Sequence, residues 1–181
     1  MEWISIITGV NSNFYSYTVK QAPDSAYLIG GFAENYPPYA PNAFLLKLSA
    51  TGDMVWSKKY NYTVPVFTYI NDMSITATGI ICYFNNPSSI GFVKTDFSGN
   101  VEWSRTYDNF CGNYNFIPEH TPKLHKTADD HFAFANGNDY CGRLGKIDTA
   151  GNMVFGRDLF QTSVDLTVTA DTGFFIAGTG P

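Results

Sequence analysis

Apolar residues fall in short runs of about four to seven, the length of strands and too short for most helices. Turn residues separate them. One frame recurs three times: LLKLSATGDMVWSKKY from Leu45, GFVKTDFSGNVEWSRTY from Gly91 and RLGKIDTAGNMVFGRDL from Arg143. Lys47, Lys94 and Lys146 are each followed five residues on by Gly52, Gly99 and Gly151, and four further on stand Trp56, Trp103 and Phe155. The glycines lie 47 and 52 residues apart, a period in the range of four-stranded repeat units.

Each segment reads as two strands around a tight hairpin. The carboxylates of Asp96 and Asp148 accept turn amides while glycine takes positive φ, and Ser49 does the same more weakly. A second hairpin precedes the first: QAPDSAYLIGG at Gln21, TATGIICY at Thr76, TADDHFAFANG at Thr127 and TADTGFFIAGTG at Thr169. The unit is therefore strand A, short turn, strand B, variable loop, strand C, D-x-x-G turn, strand D. MEWISII at the start of the sequence reads as a lone strand D, and the last residues as strands A and B only.

These residues resemble a family of secreted β-propeller repeats whose pattern runs approximately T-x-D-G-G-Y … K-x-D-x-x-G-x-x-x-W-x-K-x-Y. The resemblance implies an all-β propeller of about four blades, each a four-stranded antiparallel sheet, the last incomplete or closed by the N-terminal strand. The expected limits are strand D of the closing blade at 1–9, blade 1 at 14–60, blade 2 at 68–107, blade 3 at 123–159 and a partial blade 4 at 164–181, within one domain. The chain is also distantly similar to quinoprotein propellers. None of their cofactor-binding residues is matched, so no cofactor is expected.

Composition agrees with a folded β-rich chain. Aromatic residues make up 17% and charged residues 15%, against about 25% charged in an average domain. A net charge of −5 without a basic run disfavours nucleic acid. No apolar stretch approaches the roughly 20 residues that span a bilayer, and the N-terminus lacks a leader pattern, as in a processed or excerpted piece. Few lysines, many Tyr, Asn, Thr and Ser, and a sequon at Asn61 point to a secreted or cell-surface glycoprotein.

In a meander, the A–B and C–D turns share one end, and the B–C loops and D-to-A connections share the other. The second end carries the variable segments 34–43, 60–68, 85–89, 108–122 and 136–142, where repeat scaffolds usually place function. Tyr36, Tyr39, Tyr62, Phe110, Tyr114, Phe116 and Tyr140 fall there, rings that can stack on sugars or anchor a protein, or fold back over the sheet edges. Cys111 and Cys141 fall at the same end of adjacent units, where either a disulfide or two free thiols is expected, and Cys82 reads as a buried mid-strand thiol.

Catalysis is not expected. His120, His125 and His131 lack zinc-ligand spacing, Asp129, Asp130 and Asp171 read as turn formers, and Asp72, Asp108 and Asp139 read as scattered loop residues. The strands nearest the axis, YSYTVKQ and LTVTA, offer hydroxyls and one lysine but no acid–base pair. Trp3, Trp56 and Trp103 read as packing between neighbouring units. The expected function is an extracellular structural or adhesive scaffold that self-associates, in the limit as a filament, or binds glycan or protein through its variable end. The alternative is the substrate-binding part of a larger secreted enzyme. The two unfinished edges, MEWISII and FFIAGT, are expected to pair within one molecule or between copies.

Overall fold

The computed structural model describes residues 12–35, 41–60, 69–85, 89–108, 123–137, 142–159 and 162–179. Among them are fourteen strands and no helix. Sheet 1 contains β1 (Ser12–Gln21), β2 (Tyr27–Asn35), β3 (Pro41–Leu48) and β4 (Met54–Tyr60). Sheet 2 contains β5 (Ile70–Ile75), β6 (Ile80–Asn85), β7 (Ser89–Thr95) and β8 (Val101–Asp108). Sheet 3 contains β9 (Lys123–Lys126), β10 (Phe132–Gly137), β11 (Gly142–Ile147) and β12 (Met153–Leu159). Sheet 4 contains β13 (Thr162–Val168) and β14 (Phe174–Thr179). Every pairing is antiparallel between chain neighbours, giving sheets of four, four, four and two strands. Residues 1–9, expected as a further strand, lie outside the described residues.

The turns form as the sequence predicts. Asp96 Oδ1 accepts the amides of Ser98 and Asn100 at 2.8 Å each, and Asp148 Oδ1 accepts those of Ala150 and Asn152 at 2.9 and 2.8 Å. Ser49 Oγ makes the longer equivalents, 3.2 and 3.1 Å to Thr51 and Asp53. Gly52, Gly99 and Gly151 close these turns at φ 88°, 76° and 81°. The same amide bonds, Asn100 foremost, hold the Asp96 carboxyl below its ordinary range. In the A–B turns Asp129 accepts from Thr127 Oγ1 and Asp171 from Thr169 Oγ1, so the carboxylates read as turn formers do form turns.

Successive sheets stack face to face. Leu28, Ala43 and Leu45 of sheet 1 meet Ile70, Ile80, Cys82, Phe84 and Val93 of sheet 2. The opposite face of sheet 2, with Ile81, Tyr83, Ile90 and Phe92, meets Leu124, Phe132, Phe134 and Ile147 of sheet 3. Ala133, Ala135 and Leu144 of sheet 3 then cover Leu166 of sheet 4. The first strands lie side by side, β1 against β5, β5 against β9 and β9 against β13. Because both faces of sheet 2 are covered, its strands β6 and β7 read as continuous apolar runs rather than alternating ones.

Between sheets the last strand of one grips the D-x-x-G turn of the next. Trp56 packs on Gly99 and Trp103 on Gly151, where an added Cβ would come within 3.1 and 2.6 Å of the indole. Tyr60 Oη donates to the Gly99 carbonyl at 2.9 Å and Tyr107 Oη to the Gly151 carbonyl at 2.5 Å. Both tryptophans are half-buried between sheets, where the sequence placed them. Trp3 lies outside the described residues.

Candidate functional site

The expected binding residues Tyr36, Tyr39, Tyr62, Phe110, Tyr114, Phe116 and Tyr140 all lie outside the described residues. So do Asn61, Cys111 and Cys141. The same end of the molecule nevertheless carries an aromatic cluster on the strands themselves. Tyr15 and Tyr17 of β1, Phe32 of β2 and Tyr69 before β5 converge there. Phe32 stacks on Tyr15 with centroids 4.5 Å apart, on Tyr17 at 5.9 Å, and takes Tyr69 edge-on at 4.6 Å.

A bulge builds this cluster. The β1–β2 register shifts between Ser16 and Thr18, leaving Tyr17 as the extra residue. The bulge in turn demands glycine opposite: a Cβ on Gly31 would lie 1.9 Å from the Tyr15 carbonyl oxygen. Tyr15 stays 45% exposed, presenting a ring to solvent. Burial, then the neighbouring phenols of Tyr69 and Tyr15, push the Tyr17 phenol above its ordinary range. Burial and the charge of Glu34 do the same to Tyr69. The three rings make a small apolar platform with phenol hydroxyls on it and the Glu34 carboxylate at its margin, an arrangement suited to stacking on a ring and hydrogen-bonding its hydroxyls. Sequence reasoning looked for aromatics in loops and missed these; the signal was FYSY, where rings at 14, 15 and 17 break simple alternation.

A second polar centre joins the first strands. Asp72 does not lie in a loop but in β5, and its side chain is 9% exposed. It accepts from Thr18 Oγ1 at 2.9 Å, from its neighbour Met73 N at 2.8 Å and from Leu124 N at 2.9 Å, and pairs with Lys20 Nζ at 3.2 Å. This corrects the expectation that these strands bring together no acid and base. The reason is another bulge, between Ile70 and Asp72, which turns the carboxylate back over its own strand. Asp165 caps Leu166 N at 2.9 Å in β13 in the same way. The sequence signal was an aspartate four residues before the turn threonine in both units, Asp72 before Thr76 and Asp165 before Thr169. With four donors around it, Asp72 ties sheets 1, 2 and 3 together. Asp108 ends β8, where its carbonyl oxygen accepts from Arg143; Asp139 lies outside the described residues.

Cys82 is 1% exposed, and burial followed by the Asp72 charge pushes its thiol up to about 12, leaving it an inert hydrophobe. His131 Nδ1 lies 3.2 Å from the Asp129 carboxylate, His125 sits on β9, and His120 is outside the described residues. Among the described residues no group of three or more His, Cys, Asp or Glu is placed to hold a metal ion.

At the opposite end, the strand-C lysine meets the A–B turn. Lys47 pairs with Asp24 at 2.6 Å and Lys146 with Asp129 at 2.7 Å. Those lysines, through their hydrogen bonds, hold both aspartates below the ordinary range. Sheet 2 departs: Lys94 donates to Thr78 Oγ1 at 2.8 Å and pairs with Glu102 at 2.6 Å.

No family model and no curated protein matches this chain. It is similar to a solved structure of a protein of unknown function from Bacteroides caccae, with a TM-score of 0.56 and 12% sequence identity. The match covers 94% of this chain and 58% of that one, so the chain spans little more than half the length of its structural neighbour. The likeness is one of fold.

Proposed function

We propose that the chain is a β-propeller module, or an arc of a longer one, of the secreted repeat family, and that it acts as a non-catalytic extracellular scaffold binding a glycan or protein at its loop-bearing end. Serial stacking of four sheets with their first strands side by side supports the propeller, and so does the repeated Trp–Gly grip. The low charge and the sequon at Asn61 support an extracellular setting. The aromatic cluster of Tyr15, Tyr17, Phe32 and Tyr69 carries the binding role, because its rings are pre-packed on one another and Tyr15 is held half in solvent. Against catalysis stands the saturation of Asp72, whose neighbours are all donors already engaged.

A glycan array probed with the protein and with Tyr15→Ala tests this reading. Binding that drops at least tenfold in the variant, at unchanged melting temperature, supports it. Full binding by the variant, or turnover of a bound sugar that Asp72→Asn abolishes, would replace it with the substrate-binding part of an enzyme.

A further inference from the structure

The sheet 1–sheet 2 and sheet 2–sheet 3 interfaces are built from equivalent positions, and at the turn end they differ. Between sheets 1 and 2, Ile75 and Phe97 pack into the core and fill the gap beside the A–B turn. At the same two positions in sheet 3 stand Lys126, just before the turn threonine, and Thr149, just after the turn aspartate. Facing them, sheet 2 carries Thr78 where sheets 1 and 3 have the carboxylates of Asp24 and Asp129. All three departures act at one place. They leave a cleft of about 210 Å³ lined by Thr76, Thr78, Lys94, Lys126, Asp130 and Thr149, with Ala77 at the side and Phe132 as its apolar floor.

The geometry points to a binding site for a small oxyanion, the carboxylate or sulfate of a molecule no larger than a sugar unit, at the end of the molecule opposite the aromatic cluster. Its volume lies below the about 300–1,000 Å³ of drug-sized pockets, which sets the ligand size. Two ammonium groups line the cleft, each paired with a carboxylate that a ligand would replace or share, and Thr78 and Thr149 supply hydroxyls, the Thr76 proton being given to the Gly79 carbonyl. Lys94 is well covered, its side chain 15% exposed; it donates to Thr78 Oγ1 in place of a turn carboxylate, and its ion pair is with Glu102 at 2.6 Å, which is not among the residues lining the cleft. Lys126 is held by Asp130 at 2.6 Å, but that pair is open to water on both sides and exchanges readily for a ligand. Asp130 at the rim favours a singly charged ligand over a highly charged one.

Calorimetric titration at constant ionic strength with sodium glucuronate, glucose 6-sulfate and glucose tests the site. Saturable binding of glucuronate or of the sulfate monoester is expected, with none for glucose. Thr149→Phe and Lys126→Ile, which copy Phe97 and Ile75, should each weaken binding at least tenfold while leaving the ligand-free melting temperature unchanged. Thr78→Asp, which restores the carboxylate of the other two turns, should weaken it without touching the cleft's floor. No saturable binding by the native protein, equal affinity in all three variants, or glucose binding as well as glucuronate would overturn the proposal.

Discussion

Sheets 2 and 4 are built from the same strand-A and strand-B pattern, yet they are covered differently. Sheet 2 has a neighbour on each face, and Tyr83, Phe84 and Phe92 are each no more than 1% exposed. Sheet 4 has sheet 3 on one face: Leu166 is buried there, though its cross-strand partner Ile176 is still 38% exposed, and Phe175 on the other face is 70% exposed. Phe155, the third member of the Trp–Trp–Phe series, has its ring 6.5 Å from that of Phe174 and remains 42% exposed. The grip seen at Trp56 and Trp103 is made on a D-x-x-G turn of the next sheet, and the described part of sheet 4, β13–β14, contains none. In this architecture a sheet is stabilised by what flanks it as much as by its own strands.

That contrast is broken first at its strongest point. Phe92→Ala removes a ring packed on Tyr83 at 5.0 Å and Phe134 at 5.1 Å, and should cost about 3–5 kcal/mol in chemical denaturation. A loss below about 1 kcal/mol would show that the sheet 2–sheet 3 face is not the main core. Gly151→Ala tests the grip itself, combining a positive φ with a Cβ 2.6 Å from the Trp103 ring. It should cost about 1–3 kcal/mol and shift Trp fluorescence, and a silent substitution would refute the packing. Phe175→Ser is the smallest expected effect, within about 0.5 kcal/mol, since little is covered there. A large loss would mean that the outer face of sheet 4 is occupied in solution.

Much of this fold is legible in the sequence because the Lys…Gly…Trp frame fixes register: the turn sets φ, the turn sets the hairpin, and the aromatic four residues on lands at the next sheet. Strand order, turn positions and the buried state of Cys82 follow from that frame. The bulges do not. One extra residue in β1 and one in β5 change which way Tyr15, Tyr17 and Asp72 face, and their marks, the broken alternation of FYSY and an aspartate four residues before the turn threonine, do not by themselves give the register. The cleft was hidden for a different reason. Lys126 and Thr149 look unremarkable as surface residues, and their meaning appears only once Ile75 and Phe97 are seen occupying the same positions one sheet earlier. The aromatics expected on the loops fall outside the described residues, so the loop-bearing end is known through its strand-borne part.

The tyrosine hydrogen bonds to glycine carbonyls also bear on how the chain acquires its shape during synthesis. Tyr60 and Gly99 are 39 residues apart, and Tyr107 and Gly151 are 44. Each donor is therefore already translated when its acceptor turn emerges, and each new sheet finds a finished surface waiting for it. Growth in the direction of translation then needs no long-range search, only the closing of one loop of fixed length at a time.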